Sequence, residues 1–275
     1  MKKKILSTIL ASILALGAFG LTGCGSNGDE KTAEKAEEKK TITIGASATP
    51  HAEILEKVKP ILEEKGYKLD IQVFNDYVIP NTSVEQGELD ANFFQHIPYM
   101  ENFNKEHGTH LAYVAKVLIA PMGIYSEKIK DLKELKDGAT IAVPNDPTNE
   151  TRALKLLEKE GIAKFKDGDL VTKLDITDNP KNIKIEELEA AQLPRVLKDV
   201  DAAVINTNYA LSANLNPTQD ALAIEDKDSP YANIIAVKEE NKGKEYVKDL
   251  VEAINSPEIK KFIEENYKGA IVPAF

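Results

Sequence analysis

The chain has 275 residues, 42% hydrophobic and 29% charged, with a formal net charge of −10. That composition belongs to a globular protein long enough for one large domain or two smaller ones. The acidic balance excludes a chain built to meet nucleic-acid phosphates, and a single cysteine excludes an internal disulfide framework.

The N-terminal segment stands apart. Lys2, Lys3 and Lys4 form a basic start, Ile5 to Leu21 carries no charge, and the run closes on Leu21-Thr22-Gly23-Cys24. A basic start, an apolar stretch and small residues before a cut define an export signal. The apolar run is short for a membrane span. Its Leu-x-Gly-Cys ending resembles the bacterial lipoprotein signal. By that resemblance residues 1–23 are removed and Cys24 becomes the lipid-bearing first residue, with palmitate as its acyl group. Cleavage would remove three lysines and no acid, moving the charge to −13. Residues 24–40 carry no aromatic or large aliphatic side chain, so they build no core and read as a flexible tether. The folded part is expected from Thr41.

Thr41 to Ser47 alternates as a strand, and Ala48 to His51 is a turn. Ile54, Leu55, Val58, Ile61 and Leu62 recur at helical spacing, with Gly66 as the stop and Pro60 predicting a kink or break. Leu69 to Phe74 reads as a strand, Ser83 to Leu89 as a short helix, and Asp90 to Gln95 as extended. Pro98 is placed for the first turn of the next helix. Leu111 to Ile119 and Met122 to Tyr125 are apolar and extended, and Ile129 to Lys136 is a short helix. Strand Ala139 to Val143 then leads through Pro144-Asn-Asp-Pro147 into a helix capped by Thr148 or Asn149 and stopped at Gly161. Val171 to Ile176 and Ala202 to Asn206 read as strands, with Ile183 to Glu186 a candidate strand and Pro194 to Lys198 a helix. Tyr231 to Val237 is a strand, followed by helices Glu245 to Ile254 and Pro257 to Tyr267. Strands alternating with amphipathic helices predict an α/β fold with mostly parallel pairing.

In such folds ligands bind beyond the carboxyl ends of strands, and polar and aromatic clusters sit there in this chain. After Val143, a helix N-terminus offers free N–H groups and a positive dipole end. Arg152 lies on the face of Asn149, and its fork matches a carboxylate. It is a candidate clamp for a small ligand's carboxylate; the competing reading is a solvated surface arginine. Tyr77, Phe93, Phe94 and Tyr99 surround His96 and suit an apolar side chain or thioether, or else core. Phe93 and Phe94 point opposite ways on a strand, so at most one lines a pocket. Asn206, Asn208 and Asn233 are strand-end amides able to meet both ends of a zwitterion, or turn residues. His51, His96, His107 and His110 are too scattered for a metal site. No Gly-x-Ser-x-Gly elbow, phosphate loop or His-Glu-x-x-His is present, so neither an enzyme nor a cofactor is expected.

Several ordered segments carry a family likeness: Phe74-Asn-Asp-Tyr77, Asp90-Ala-Asn-Phe-Phe-Gln-His96, Val143-Pro-Asn-Asp-Pro-Thr-Asn149 with Arg152, Glu187-Leu-Glu-Ala-Ala-Gln-Leu-Pro-Arg195, Ala203-Val-Ile-Asn206 and Ser229-Pro-Tyr-Ala-Asn233. Together they resemble the NlpA/MetQ family, lipid-anchored substrate-binding proteins of methionine ABC importers. The resemblance spans Thr41 to Phe275. It implies a periplasmic-binding-protein fold of two α/β lobes joined by two hinge crossings. Lobe 1 would be residues 41–118 plus 229–275, and lobe 2 residues 119–228. It further implies L-methionine in the interlobe cleft of a monomer held to the outer face of the cell membrane by the lipid on Cys24. An ABC permease and its ATPase subunit would be the partners. Matched residue by residue, Arg152 and Asn149 would hold the α-carboxylate, Asn206 and Asn233 the carboxylate and ammonium groups, and Tyr77, Phe94, His96 and Tyr99 the side chain. A methionine-containing dipeptide or D-methionine is an alternative ligand. A non-transport surface lipoprotein, or an extracytoplasmic enzyme using His96, is an alternative of another class.

Overall fold

The computed structural model describes residues 39–226 and 229–275. The signal 1–23, Cys24 and most of the tether lie outside the described residues. Lys39 to Phe275 form one compact unit built on two main sheets.

The first sheet begins with β1 (Thr41–Ser47), whose Ile42, Ile44 and Ala46 point to one face and are fully buried. Helix α1 (Glu53–Glu64) lays Ile54, Leu55, Val58 and Leu62 on that face. It runs unbroken through Pro60. Pro60 and Glu56, whose carbonyl loses its donor, are both exposed, so water can satisfy that group. Strand β2 (Lys68–Phe74), helix α2 (Ile79–Gln86), strand β3 (Ala91–His96), helix α3 (Ile97–His107) and strand β4 (Leu111–Ile119) follow. Helix α2 starts four residues before the expected Ser83, because Pro80 suits its first turn and Asp76 accepts from the N–H of Val78 and Ile79. Gly45 in β1 has no room for a side chain: a Cβ would lie 2.7 Å from Leu89 Cδ1 and 3.0 Å from the Phe74 ring.

The chain then crosses through Ala120, Pro121 and Met122 into the second sheet. Its elements are β5 (Gly123–Tyr125), β6 (Thr140–Pro144), α4 (Pro147–Lys159), the small pair β7 (Lys164–Phe165) and β8 (Ile176–Asp178), β9 (Lys184–Leu188), β10 (Ala202–Ile205), α5 (Thr207–Ser212), α6 (Pro217–Asp220) and β11 (Ala223–Ile224). Strand alternation divides its core: Ile141, Val143 and Val204 pack with Leu154 and Leu157 of α4, whereas Ala142, Ala203 and Ile205 face Leu193 and Leu197. A second crossing returns the chain to the first sheet as β12 (Ala232–Lys238). Helices α7 (Glu245–Ile254) and α8 (Pro257–Tyr267) join α1 on the same face, and β13 (Val272–Pro273) closes the edge.

The sheet orders are β13-β4-β12-β3-β1-β2 and β11-β5-β10-β6-β9. Both are mixed, which corrects the expectation of mostly parallel pairing. Strand β1 pairs in parallel with β2 and β3, and β6 with β9 and β10. The strands that flank the two crossings (β4, β5, β11 and β12) pair antiparallel with their neighbours. Of these, β5 and β12 enter their sheets from the other lobe, with no crossover helix to turn them round, and so run against their neighbours.

Three further expectations need local correction. Val171 to Ile176 is not a strand: Thr172 and Asp175 cap each other's backbone and wind the segment into a short turn, so only Ile176 enters a ladder. Ile129 to Lys136 holds a single helical turn, Leu132–Glu134, capped by Asp131. The helix predicted from Pro194 is a 3₁₀ helix, Ala190–Val196, that starts earlier and contains Pro194.

Candidate functional site

The ends of both sheets meet at one small cavity of about 20 Å³. Strand β3 delivers Phe94, Gln95 and His96 and α3 adds Tyr99; α4 contributes Asn149 and Arg152, the end of β10 Asn206, Thr207 and Asn208, and the start of β12 Asn233. Tyr77, beyond β2, completes the apolar side, and Ala120 of the first crossing closes the wall. All eight residues expected at a ligand site (Tyr77, Phe94, His96, Tyr99, Asn149, Arg152, Asn206 and Asn233) line this cavity.

The aromatic wall is built from strand alternation. Phe94 faces the cavity and packs edge-on to Tyr99, with centroids 6.0 Å apart, and stacked near Tyr77 at 5.6 Å. Phe93 points the other way into the core beneath α1, where the His51 ring meets it edge-on at 4.6 Å. Tyr77 fits against hydrophobic groups of both lobes. Its hydroxyl donates to Asn208 Oδ1 at 2.7 Å, across from one sheet to the other. Tyr99 donates its hydroxyl to the Tyr77 carbonyl at 3.0 Å.

The polar side is a directed chain of hydrogen bonds. Helix α4 is capped by Asp146 rather than by Thr148 or Asn149. Asp146 accepts from Asn149 N at 3.0 Å, through both carboxylate oxygens from Asn149 Nδ2, and from Thr148 Oγ1. The N–H groups expected to receive a ligand anion thus already hold the chain's own carboxylate, whose pKa burial raises against the pull of those bonds. With its Nδ2 held there, Asn149 presents Oδ1, which accepts from Asn206 Nδ2 at 2.8 Å and from His96 Nε2 at 3.2 Å. His96 Nδ1 accepts from Tyr99 N at 3.1 Å. That pattern fixes a neutral ring protonated on Nε2. Burial first, and then the Arg152 charge, lower the His96 pKa to about 3. With both nitrogens engaged and no carboxylate bound to it, His96 is arranged as a fixed dipole and not as a base.

Two of the atoms left over stand out. Asn206 Oδ1 is buried and accepts no hydrogen bond. Arg152 uses Nε and Nη2 on Glu225 and on the Ala120 carbonyl, which leaves Nη1 with no partner within the described residues. The carboxylate that Arg152 meets is therefore Glu225, 73 residues away in the chain, and its ring neighbour is Tyr231, 4.6 Å from the guanidinium carbon. An unpaired buried acceptor and a free charged donor in one cavity suit an ammonium and a carboxylate.

The residues that sequence reasoning missed are mostly supports. Asn233 Oδ1 is bound at 2.7 Å by His51 Nε2, so Asn233 turns its Nδ2 away from His51, with only a 3.3 Å bond to the Tyr231 carbonyl. Burial lowers His51 to about 4, against its bond to Asn233. Gln95 belongs to a closed amide triad with Asn81 and Asn92 under the cavity floor. The position of His51 just past the first strand was a usable signal; nothing in the sequence marked Glu225. Among the described residues no group of His, Cys, Asp and Glu converges as a metal site. His107 lies against Phe103 and His110 against Glu85. No helix among the described residues is long and apolar enough to cross a membrane.

The NlpA lipoprotein family model matches residues 42–275. The chain is 45% identical over 263 residues to the D-methionine-binding lipoprotein MetQ of Salmonella typhi, covering 94% of each. A lipoprotein of known structure from Ruminococcus gnavus ATCC 29149 is 52% identical and superposes with a TM-score of 0.84, over 86% of this chain and all of the other. A nutrient-binding protein from Burkholderia cenocepacia, solved bound to methionine, is 50% identical with a TM-score of 0.83, over 85% of this chain and all of the other. These likenesses fit the two lobes and two crossings described above to the periplasmic-binding-protein fold.

Proposed function

We propose that this chain, which belongs to the NlpA lipoprotein family, is the substrate-binding component of an ABC importer and holds L-methionine between its lobes. The observation that carries the reading is the pair of unsatisfied groups beside an aromatic wall. Arg152 Nη1 would receive the α-carboxylate, helped by Asn233 Nδ2, and the unpartnered Asn206 Oδ1 would receive the ammonium. Asn149 aligns Asn206 and His96 and so acts beside the ligand. Tyr77, Phe94 and Tyr99 would cover the thioether, a polarizable group that sits well at ring edges. His96 closes that side as a neutral ring.

Binding would be coupled to movement. Lobe 1 would comprise residues 41–118 and 229–275 and lobe 2 residues 119–228, with the crossings as hinges. The site draws on both lobes, so the ligand favours the closed form by its differential affinity. The closed monomer would then dock on a permease, whose ATPase subunit drives release. Residues 1–23 would direct export and the lipid on Cys24 would hold the protein at the outer face of the membrane, with residues 24–40 as a tether that keeps it near the permease. No step of this needs covalent chemistry, so the chain is read as a binding protein and not an enzyme.

Mass spectrometry of the small molecule released on denaturing the purified protein tests the assignment. Methionine at near equimolar amount, resolved as the L form on a chiral column, is the expected result. D-methionine would keep the clamp and exchange the places of ammonium and side chain. A methionine dipeptide would require a different carboxylate position, and any non-zwitterionic molecule would overturn the reading.

A further inference from the structure

Arg152 is buried, and its surroundings come from both crossings between the lobes. Its Nε donates to both carboxylate oxygens of Glu225 at 3.0 Å, and its Nη2 donates to Glu225 and, at 2.9 Å, to the carbonyl of Ala120. Its face lies over the Tyr231 ring. Ala120 belongs to the first crossing, between β4 and β5; Glu225 and Tyr231 belong to the second, between β11 and β12. Glu225 also ties the crossings together directly. Its Oε2 accepts from Met122 N at 3.2 Å, and its own N–H donates to the Met122 carbonyl at 2.8 Å.

A guanidinium is planar with donors at fixed angles. Once Nε and Nη2 are held, the position of Nη1 follows. A long side chain with many rotamers is thereby ordered before a ligand arrives, which removes a cost that binding would otherwise carry. Glu225 also balances the Arg152 charge, so the cavity presents a directed donor without an excess positive charge. That suits a zwitterion better than a ligand with a second anionic group.

We propose that Glu225 is a positioning residue for the amino-acid carboxylate: by fixing the Nε–Nη2 edge of Arg152 it aims Nη1 into the cavity, and by its bonds to Met122 it ties that aim to the spacing of the two crossings. The proposal rests on the reading of Arg152 as the carboxylate clamp. The opposite possibility is that Glu225 competes with the ligand for Arg152. The two predict effects of opposite sign.

The test is calorimetric titration of the full mature chain, unmodified and as Arg152→Ala, Glu225→Gln and Glu225→Asp, with L-methionine and with L-methioninol, which carries an alcohol in place of the carboxylate. The unmodified chain should prefer methionine, and Arg152→Ala should lose that preference. Glu225→Gln should weaken methionine by about tenfold or more while changing methioninol by less than about threefold. Glu225→Asp, which keeps the charge on a shorter stem, should fall between. Equal weakening of both ligands in Glu225→Gln would overturn the proposal, since a merely structural glutamate would act on both alike. Tighter methionine binding would overturn it in favour of competition. If Glu225→Gln fails to melt cooperatively, the ratio of the two affinities in Glu225→Asp decides: a lowered ratio supports positioning and an unchanged one refutes it. A preference for methionine that survives in Arg152→Ala would refute the clamp itself, and so separates that failure from a failure at Glu225.

Discussion

At the scale of residues, the site is a set of polar atoms held mostly by partners inside the chain, with Asn206 Oδ1 and Arg152 Nη1 among those left over. That makes substitution effects specific to the ligand's ends. Arg152→Ala should lower methionine affinity by at least about tenfold, because a ligand carboxylate that enters the cavity without a partner costs about 1.4 kcal/mol or more. Calorimetry with unchanged affinity would remove Arg152 from the site. Asn206→Ala should act on the other end. It should weaken methionine by about tenfold and leave 4-(methylthio)butanoate, which lacks the amine, nearly unchanged. Equal losses for both ligands would remove Asn206 Oδ1 as the ammonium acceptor. Phe94 sits between the core and the cavity, so Phe94→Ala should cost about 3 kcal/mol of stability in a urea melt and, on the proposed function, weaken methionine as well. Loss of stability with intact affinity would make Phe94 core alone.

At the scale of elements, α4 is where local chemistry and the site meet. Its next buried acid, Glu150, accepts from Lys173 N at 3.0 Å, and burial first, then the neighbouring Glu187, raise its pKa. A raised folded pKa means that its stabilising contribution is complete below the unfolded value near 4.5 and is lost as pH rises through the folded value. Glu150→Gln keeps the acceptor and removes that charge. It should therefore raise the melting temperature at pH 8 and change it little at pH 4; a lower melting temperature at pH 8 would contradict this. The same helix shows what sequence can and cannot give. Its apolar spacing and the end at Gly161 were legible, because those are local rules. The cap was misassigned to Thr148 or Asn149 because Asp146 lay inside what read as the turn. The Val171 to Ile176 alternation read as a strand because a pattern of side chains does not report a capping pair such as Thr172 and Asp175. The direction of β5 and β12 depends on the chain having come from the other lobe, and no local pattern carries that.

At the scale of the whole molecule, the cavity's residues were legible because they sit at strand ends in segments with a family likeness. The partner of Arg152 was not, since Glu225 is joined to it only by the fold. Two buried histidines also set a global property. His51 and His96 are neutral when folded, with pKa values lowered to about 4 and about 3. The unfolded chain binds protons at both from about pH 6.5 downward, so stability is present above that pH and is lost as pH falls toward the folded values. Urea melts from pH 7 to pH 4.5 should show a falling midpoint, and His51→Gln should flatten the fall. Methionine affinity should stay nearly constant between pH 5.5 and pH 8, because neither ring titrates there in the folded state. An affinity that drops with a midpoint near pH 6.5 would contradict the neutral ring assigned to His96. The most direct measurement is a calorimetric titration of ligand-stripped protein with L-methionine. Saturable binding at one molecule per chain is the expected result, and the absence of binding to either enantiomer would contradict a methionine site in this cavity.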